Sequence, residues 1–246
     1  MTMSFVITIY VREGIVMASD SRLTLNSQNT QGQNQIVHLA VGQSDSNNKI
    51  FLSPSRIGIS TYCAADIGGT PIGGYIESFI NDVLETQNLT VDAVPKELLN
   101  YFGSMTPVPA TQFHVAGYKD TNGSKEQQVW QVDVAQQRFQ QLNPPNQQGA
   151  SWGGEADILT RLIKPVATLD QNGKIEQTLP HYNIPWQFLT LQDAIDFTIF
   201  AMRSTIDAIR FLPRPKSVGG PIDVLVIKPN EASWIQRKLL RGETEI

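Results

Sequence analysis

Residues 3–11 place Phe5, Ile7, Ile9 and Val11 on one side of an alternating pattern and Ser4, Val6, Thr8 and Tyr10 on the other. Period-two alternation marks a strand. A strand with this much apolar surface belongs to a sheet that needs cover on both faces. Arg12-Glu13-Gly14 then turns the chain, and residues 15–20 read as the hairpin partner of the first strand. Whatever follows must therefore supply layers for a buried N-terminal sheet.

The rest of the pattern supplies them. Residues 26–48 are rich in Asn, Gln, Ser and Gly, with apolar groups confined to Ile36–Val41, and read as an exposed excursion with room for a short strand. Lys49–Leu52 and Ile57–Cys63 form a second hairpin across Ser-Pro-Ser. Two helices follow, Pro71–Leu84 and Asp92–Phe102, the second with Asp92 as its expected N-cap. Strands return at Phe113–Tyr118, Gln127–Val134 and Phe139–Leu142. A third helix is expected over Glu155–Val166, and residues 168–190 read as a loop. A long fourth helix runs over Leu191–Phe211 behind Thr190, a good cap, and strands Ile222–Ile227 and Ser233–Arg237 close the order. Strands, two helices, strands, two helices, strands is an α+β order. Its natural solution is a four-layer αββα sandwich, two antiparallel sheets between helical layers, in a single domain spanning residues 1–246.

Composition bounds the function. Nineteen Lys and Arg against 23 Asp and Glu give a net charge of −4, and basic residues nowhere cluster with aromatics, so no nucleic-acid footprint is expected. The lone Cys63 supports neither a disulfide frame nor a Cys metal site and reads as a buried small side chain. No signal segment or membrane-length apolar run is found, so a cytoplasmic chain with no membrane partner is expected. His38, His114 and His181 are too scattered for a metal triad and read as structural. The glycines around Pro71 lack the Lys-Ser/Thr ending of a phosphate loop. No cofactor and no metal are expected.

Five segments in order carry a family resemblance over nearly the whole chain: Gly14–Arg22 with its Asp20-x-Arg22, Asn48-Lys49-Ile50-Phe51, Cys63-Ala64-Ala65-Asp66, Ser151-Trp152-Gly153-Gly154, and Arg214 through Gly219-Gly220. On these the chain resembles the proteasome β-type subunits, bacterial members included, of the N-terminal nucleophile hydrolase superfamily. The resemblance implies a threonine- or serine-type endopeptidase acting on peptides or unfolded protein, in which the first mature residue is nucleophile and its own α-amine the base. It also implies a homo-oligomeric ring.

At the family's spacing from Asp20, the nucleophile falls on Ser4. Thr2 shares its strand face and would be presented by a slide of two residues. Asp20 would orient Lys49, whose ammonium favours the alkoxide. The oxyanion N–H would come from Tyr62, where the family prefers Gly. Arg22, Gly153, Gly219 and Gly220 are expected as structural support, and Asp66 as a helix cap. Three family polar groups are replaced, by Trp152, Pro215 and Val218. Loss of the initiator Met would expose Thr2, whereas reaching Ser4 needs a further cut. The alternative is a catalytically silent ring or scaffold subunit, and a small-molecule amidase of the same superfamily is a third possibility.

Overall fold

The computed structural model describes residues 4–31, 35–145 and 147–239, with residues 25–31 and 35–42 described by backbone alone. Strands β1 (Phe5–Val11) and β2 (Gly14–Ser19) form the expected hairpin, with Val11 opposite Gly14. The polar excursion is itself a long antiparallel pair, β3 (Leu23–Gln31) with β4 (Gln35–Ser44). Strands β5 (Ile50–Leu52) and β6 (Gly58–Cys63) make the second hairpin. The short pair β7 (Asp66–Ile67) and β8 (Thr70–Pro71) leads into helix α1 (Ile72–Phe79), which continues as a π-helical turn over Ile80–Glu85. Helix α2 covers Val94–Gly103.

The second half holds strands β9 (Thr111–Thr121), β10 (Ser124–Asp133), β11 (Arg138–Gln141) and β12 (Gly149–Gly154), then helix α3 (Asp157–Ile163). A small hairpin, β13 (Ala167–Leu169) with β14 (Ile175–Thr178), occupies part of the expected 168–190 loop. Helix α4 (Leu191–Phe211) precedes strands β15 (Asp223–Ile227) and β16 (Ala232–Gln236).

Several expectations need correction. Helix α3 ends earlier than predicted, because Lys164 precedes a proline and adopts an extended backbone (φ −107°, ψ 157°). Helix α2 starts after Ala93 with no side-chain cap, and Asp92 instead pairs with Lys119 at 2.8 Å. Asp66 caps no helix, since α1 begins after Pro71; its carboxylate accepts from the Gly69 N–H at 2.9 Å and closes the turn between β7 and β8.

The chain is a mixed α/β molecule with antiparallel sheets and four α-helices among the described residues. Two sheets have five strands each, in the orders β12-β1-β2-β15-β16 and β11-β10-β9-β6-β5. Three buried clusters show how they are covered. Phe5, Ile7, Ile9 and Val16 of the first sheet pack with Leu159 of α3 and Ala201 and Met202 of α4. Ile59, Val115 and Val132 of the second sheet pack with Ile72 and Ile76 of α1 and Leu98 of α2. Tyr10, Ile15, Met17 and Leu225 of the first sheet join Ala116 and Val129 of the second in a third cluster. Strand β1 is buried along its whole length, as its two apolar sides require.

Candidate functional site

Asp20 leaves the end of β2 with no solvent exposure. Its Oδ1 accepts from the Phe5 N–H at 3.0 Å and from Lys49 Nζ at 2.7 Å. Its Oδ2 accepts from the backbone N–H groups of Arg22 and Gly219, both at 3.1 Å. The Asp20 N–H returns to the Phe5 carbonyl at 3.3 Å. A buried carboxylate with this many donors is satisfied as an anion. Lys49 comes from the residue before β5, is 1% exposed, and is fixed by its carbonyl, which accepts from the Thr61 N–H at 2.9 Å. Burial pulls the Lys49 pKa below the ordinary lysine value while Asp20 works to hold it up.

Ser4 stands next to this pair in sequence, immediately ahead of Phe5. It is buried, and its carbonyl accepts from the Glu155 N–H at 2.8 Å. Gly154, opposite Phe5 in the β1–β12 register, has φ +86°, and a Cβ there would sit 1.7 Å from the Ser4 carbonyl oxygen. Only glycine permits that approach. Thr2 lies outside the described residues.

Tyr62 on β6 turns its ring between the sheets and onto Gly153, where a Cβ would meet the ring at 2.3 Å. The ring stacks edge-on against His114 with centroids 5.2 Å apart, and its hydroxyl accepts from Gln131 Nε2 at 2.9 Å. Burial raises its pKa, so it stays neutral. Arg22 points outward into a two-pronged ion pair with Asp45, both contacts at 2.7 Å, and that pairing raises its pKa and lowers that of Asp45. Gly219 lies beneath the Arg22 guanidinium and Gly220 beside Asp45. Thus Asp20, Lys49, Ser4, Arg22 and Gly219 converge, with Tyr62 and Gly153 stacked beside them.

The three replaced polar positions serve other ends. Trp152 and Val218 join the helix-side core of the first sheet. Ser151, one residue from Trp152, faces the second sheet and meets His114 Nε2 at 3.3 Å. Arg214, beside Pro215, pairs with Glu155 at 3.1 Å and Asp157 at 3.2 Å.

Some polar groups were not foreseen. Asp223 and Lys238 form a second buried ion pair, with side chains 2% and 5% exposed. An Asp beginning the apolar run Asp223–Ile227 was the available signal. The hydroxyls of Ser19 and Ser60, both on fully buried stretches, have no partner among the described residues. Cys63 is half-buried, not buried as expected, with φ 75°, and it lines an open cleft of about 840 Å³ with Asp133, Glu155 and Arg214. Among the described residues no group of three His, Cys, Asp or Glu side chains could hold a metal ion. Nor is any helix there long and apolar enough to cross a membrane.

The arrangement holds a buried ammonium against a carboxylate that also binds the N–H of the residue after Ser4. No protein-family model matches the sequence, and no curated protein matches it.

Proposed function

We propose that the chain is an N-terminal nucleophile amide hydrolase of proteasome β type, built as the four-layer αββα sandwich that its three clusters support. One observation carries this reading: a single buried carboxylate, Asp20, binds both Lys49 Nζ and the backbone N–H of the residue after Ser4. That bond ties the start of β1 to the ion pair. In this reading Ser4 Oγ attacks a peptide carbonyl, and its proton passes to the α-amine that trimming exposes, then to the leaving amine. The resulting ester is hydrolysed by water. Lys49 stabilises the developing alkoxide. A peptide or unfolded segment is the substrate, and the working form is a ring of copies.

A second reading, a silent ring subunit, is favoured by the closure of the site. Ser4, Asp20 and Lys49 are 3%, 0% and 1% exposed, and the Tyr62 ring lies on Gly153 where the family prefers a glycine at position 62. Intact mass before and after incubation with an electrophilic peptide inhibitor separates the two. The hydrolase reading expects a chain beginning at Ser4 and one adduct per chain, lost in Ser4→Ala. A chain beginning at Thr2 whose adduct is lost in Thr2→Ala moves the nucleophile by two residues along the strand. A chain retaining Met1 with no adduct overturns the hydrolase reading.

A further inference from the structure

The cleft of about 840 Å³ beside the site is within the volume range of small-molecule pockets. It is framed by the ends of β6, β10 and β12 and by the residue before Pro215. Its lining holds three carboxylates, Asp133, Glu155 and Asp157, against one guanidinium, Arg214. Two of the three already have cations. Glu155 is bound by Arg214 and by the Ser217 hydroxyl, and Asp157 by Arg214 and by the exposed Arg161 at 3.6 Å.

Asp133 is different. It is 6% exposed, and Oδ1 accepts only from the Gln136 N–H at 3.0 Å. No cation lies within ion-pair distance of it among the described residues. Arg138 is its partner in the β10–β11 register yet makes no ion pair with it. Its charge is felt nearby: burial first, then Asp133, pushes the Cys63 thiol pKa up. Arg138 also lines a small pocket with Asp133, but no ion pair closes between them, and a carboxylate this buried gains from a counter-charge in direct contact. The walls leading to it carry methyl groups, from Ala64, Ala110, Ala135 and Ala156. Methyl walls match a methylene stem, as a long cationic side chain presents below its charged head.

We infer that this cleft is a binding site for a long-chain organic cation, an alkylammonium or alkylguanidinium whose stem lies along the alanines and whose head meets Asp133. The site does not depend on Ser4 acting as a nucleophile, and its test involves no turnover. The ligand chemistry has two sources, a free polyamine or a Lys or Arg side chain of a peptide.

Titration calorimetry of the full chain with spermidine, and separately with Nα-acetyl-lysine methylamide, distinguishes them. At least one should bind saturably and one-to-one, while glutarate should not bind. Asp133→Asn keeps the acceptor for the Gln136 N–H but removes the charge, and should weaken binding by about tenfold or more. Ala135→Trp, at an exposed turn position, fills the cleft without touching a carboxylate and should abolish binding. If Asp133→Asn fails to fold, Ala135→Trp still decides the matter. Absence of saturable binding by both cations overturns the proposal, as does binding that the folded variants leave unchanged. Inhibitor adduct at Ser4 without cation binding defeats the cleft proposal alone. Cation binding without adduct defeats the hydrolase reading alone.

Discussion

Asp20 accepts from groups 2, 15, 29 and 199 residues away in sequence, at Arg22, Phe5, Lys49 and Gly219. Three of these are backbone N–H groups, so the carboxylate keeps partners even if Lys49 is removed. Lys49→Met should therefore cost about 3 kcal/mol, the lower part of the range for breaking a buried ion pair. Urea unfolding measures it. Adding Asp20→Asn to that variant should recover little, because the amide nitrogen would face a backbone donor. A Lys49→Met variant as stable as the parent would show that the pair contributes no net stability. The Asp20–Lys49 contact was legible only through motif order, since nothing local joins positions 29 residues apart. The direction of the Tyr62 side chain was not legible at all. It is decided by Gly153, which reaches it from a strand of the other sheet.

At the scale of elements, α4 shows what a local signal can achieve. The Thr190 hydroxyl accepts from the Asp193 N–H at 3.2 Å and Asp193 returns a bond to the Thr190 N–H at 2.8 Å, a complete capping box. At the other end the Lys216 ammonium donates to the carbonyls of Ile209 and Leu212. Thr190→Ala should lower the thermal midpoint by about 2–4 °C, as calorimetry would record. A midpoint shift within error would mean that packing of the apolar stripe alone sets the helix start. This helix was readable because cap and stripe agree. Strand β12 was not, because Gly149-Ala-Ser-Trp-Gly-Gly has no alternation and is a strand only by virtue of β1 beside it. The β3–β4 pair was read as a polar excursion for a related reason. Backbone pairing holds it, and backbone pairing leaves little trace in polar composition.

At the scale of the whole molecule, His114 joins the two sheets. On β9, it meets Thr8 of β1 at 3.1 Å through Nδ1, Ser151 of β12 through Nε2, and the neutral Tyr62 ring. Burial lowers its pKa from 6.5 to about 4. Between those values the unfolded chain holds a proton that the folded chain does not, so stability falls as the pH drops through that window. The loss contributed by this residue is about 3 kcal/mol across it. His114→Asn should flatten that part of the denaturation-midpoint profile between pH 7 and pH 4, and an unchanged slope would assign the acid sensitivity elsewhere. Antiparallel sheets covered by helices were legible in the sequence because strands such as β1 and β9 carry apolar residues in period two; the strand order and the polar contacts between sheets were not, since each joins residues from distant strands. One topological fact has a temporal meaning. Strand β2 is flanked by β1 and by β15, which ends at Ile227, and Gly219 supplies one of the Asp20 bonds. Such pairings between the chain's early and late segments raise its contact order and slow its folding. On a ribosome, the Gly219 bond to Asp20 and the pairing of β15 with β2 can form only after nearly all of the chain has emerged.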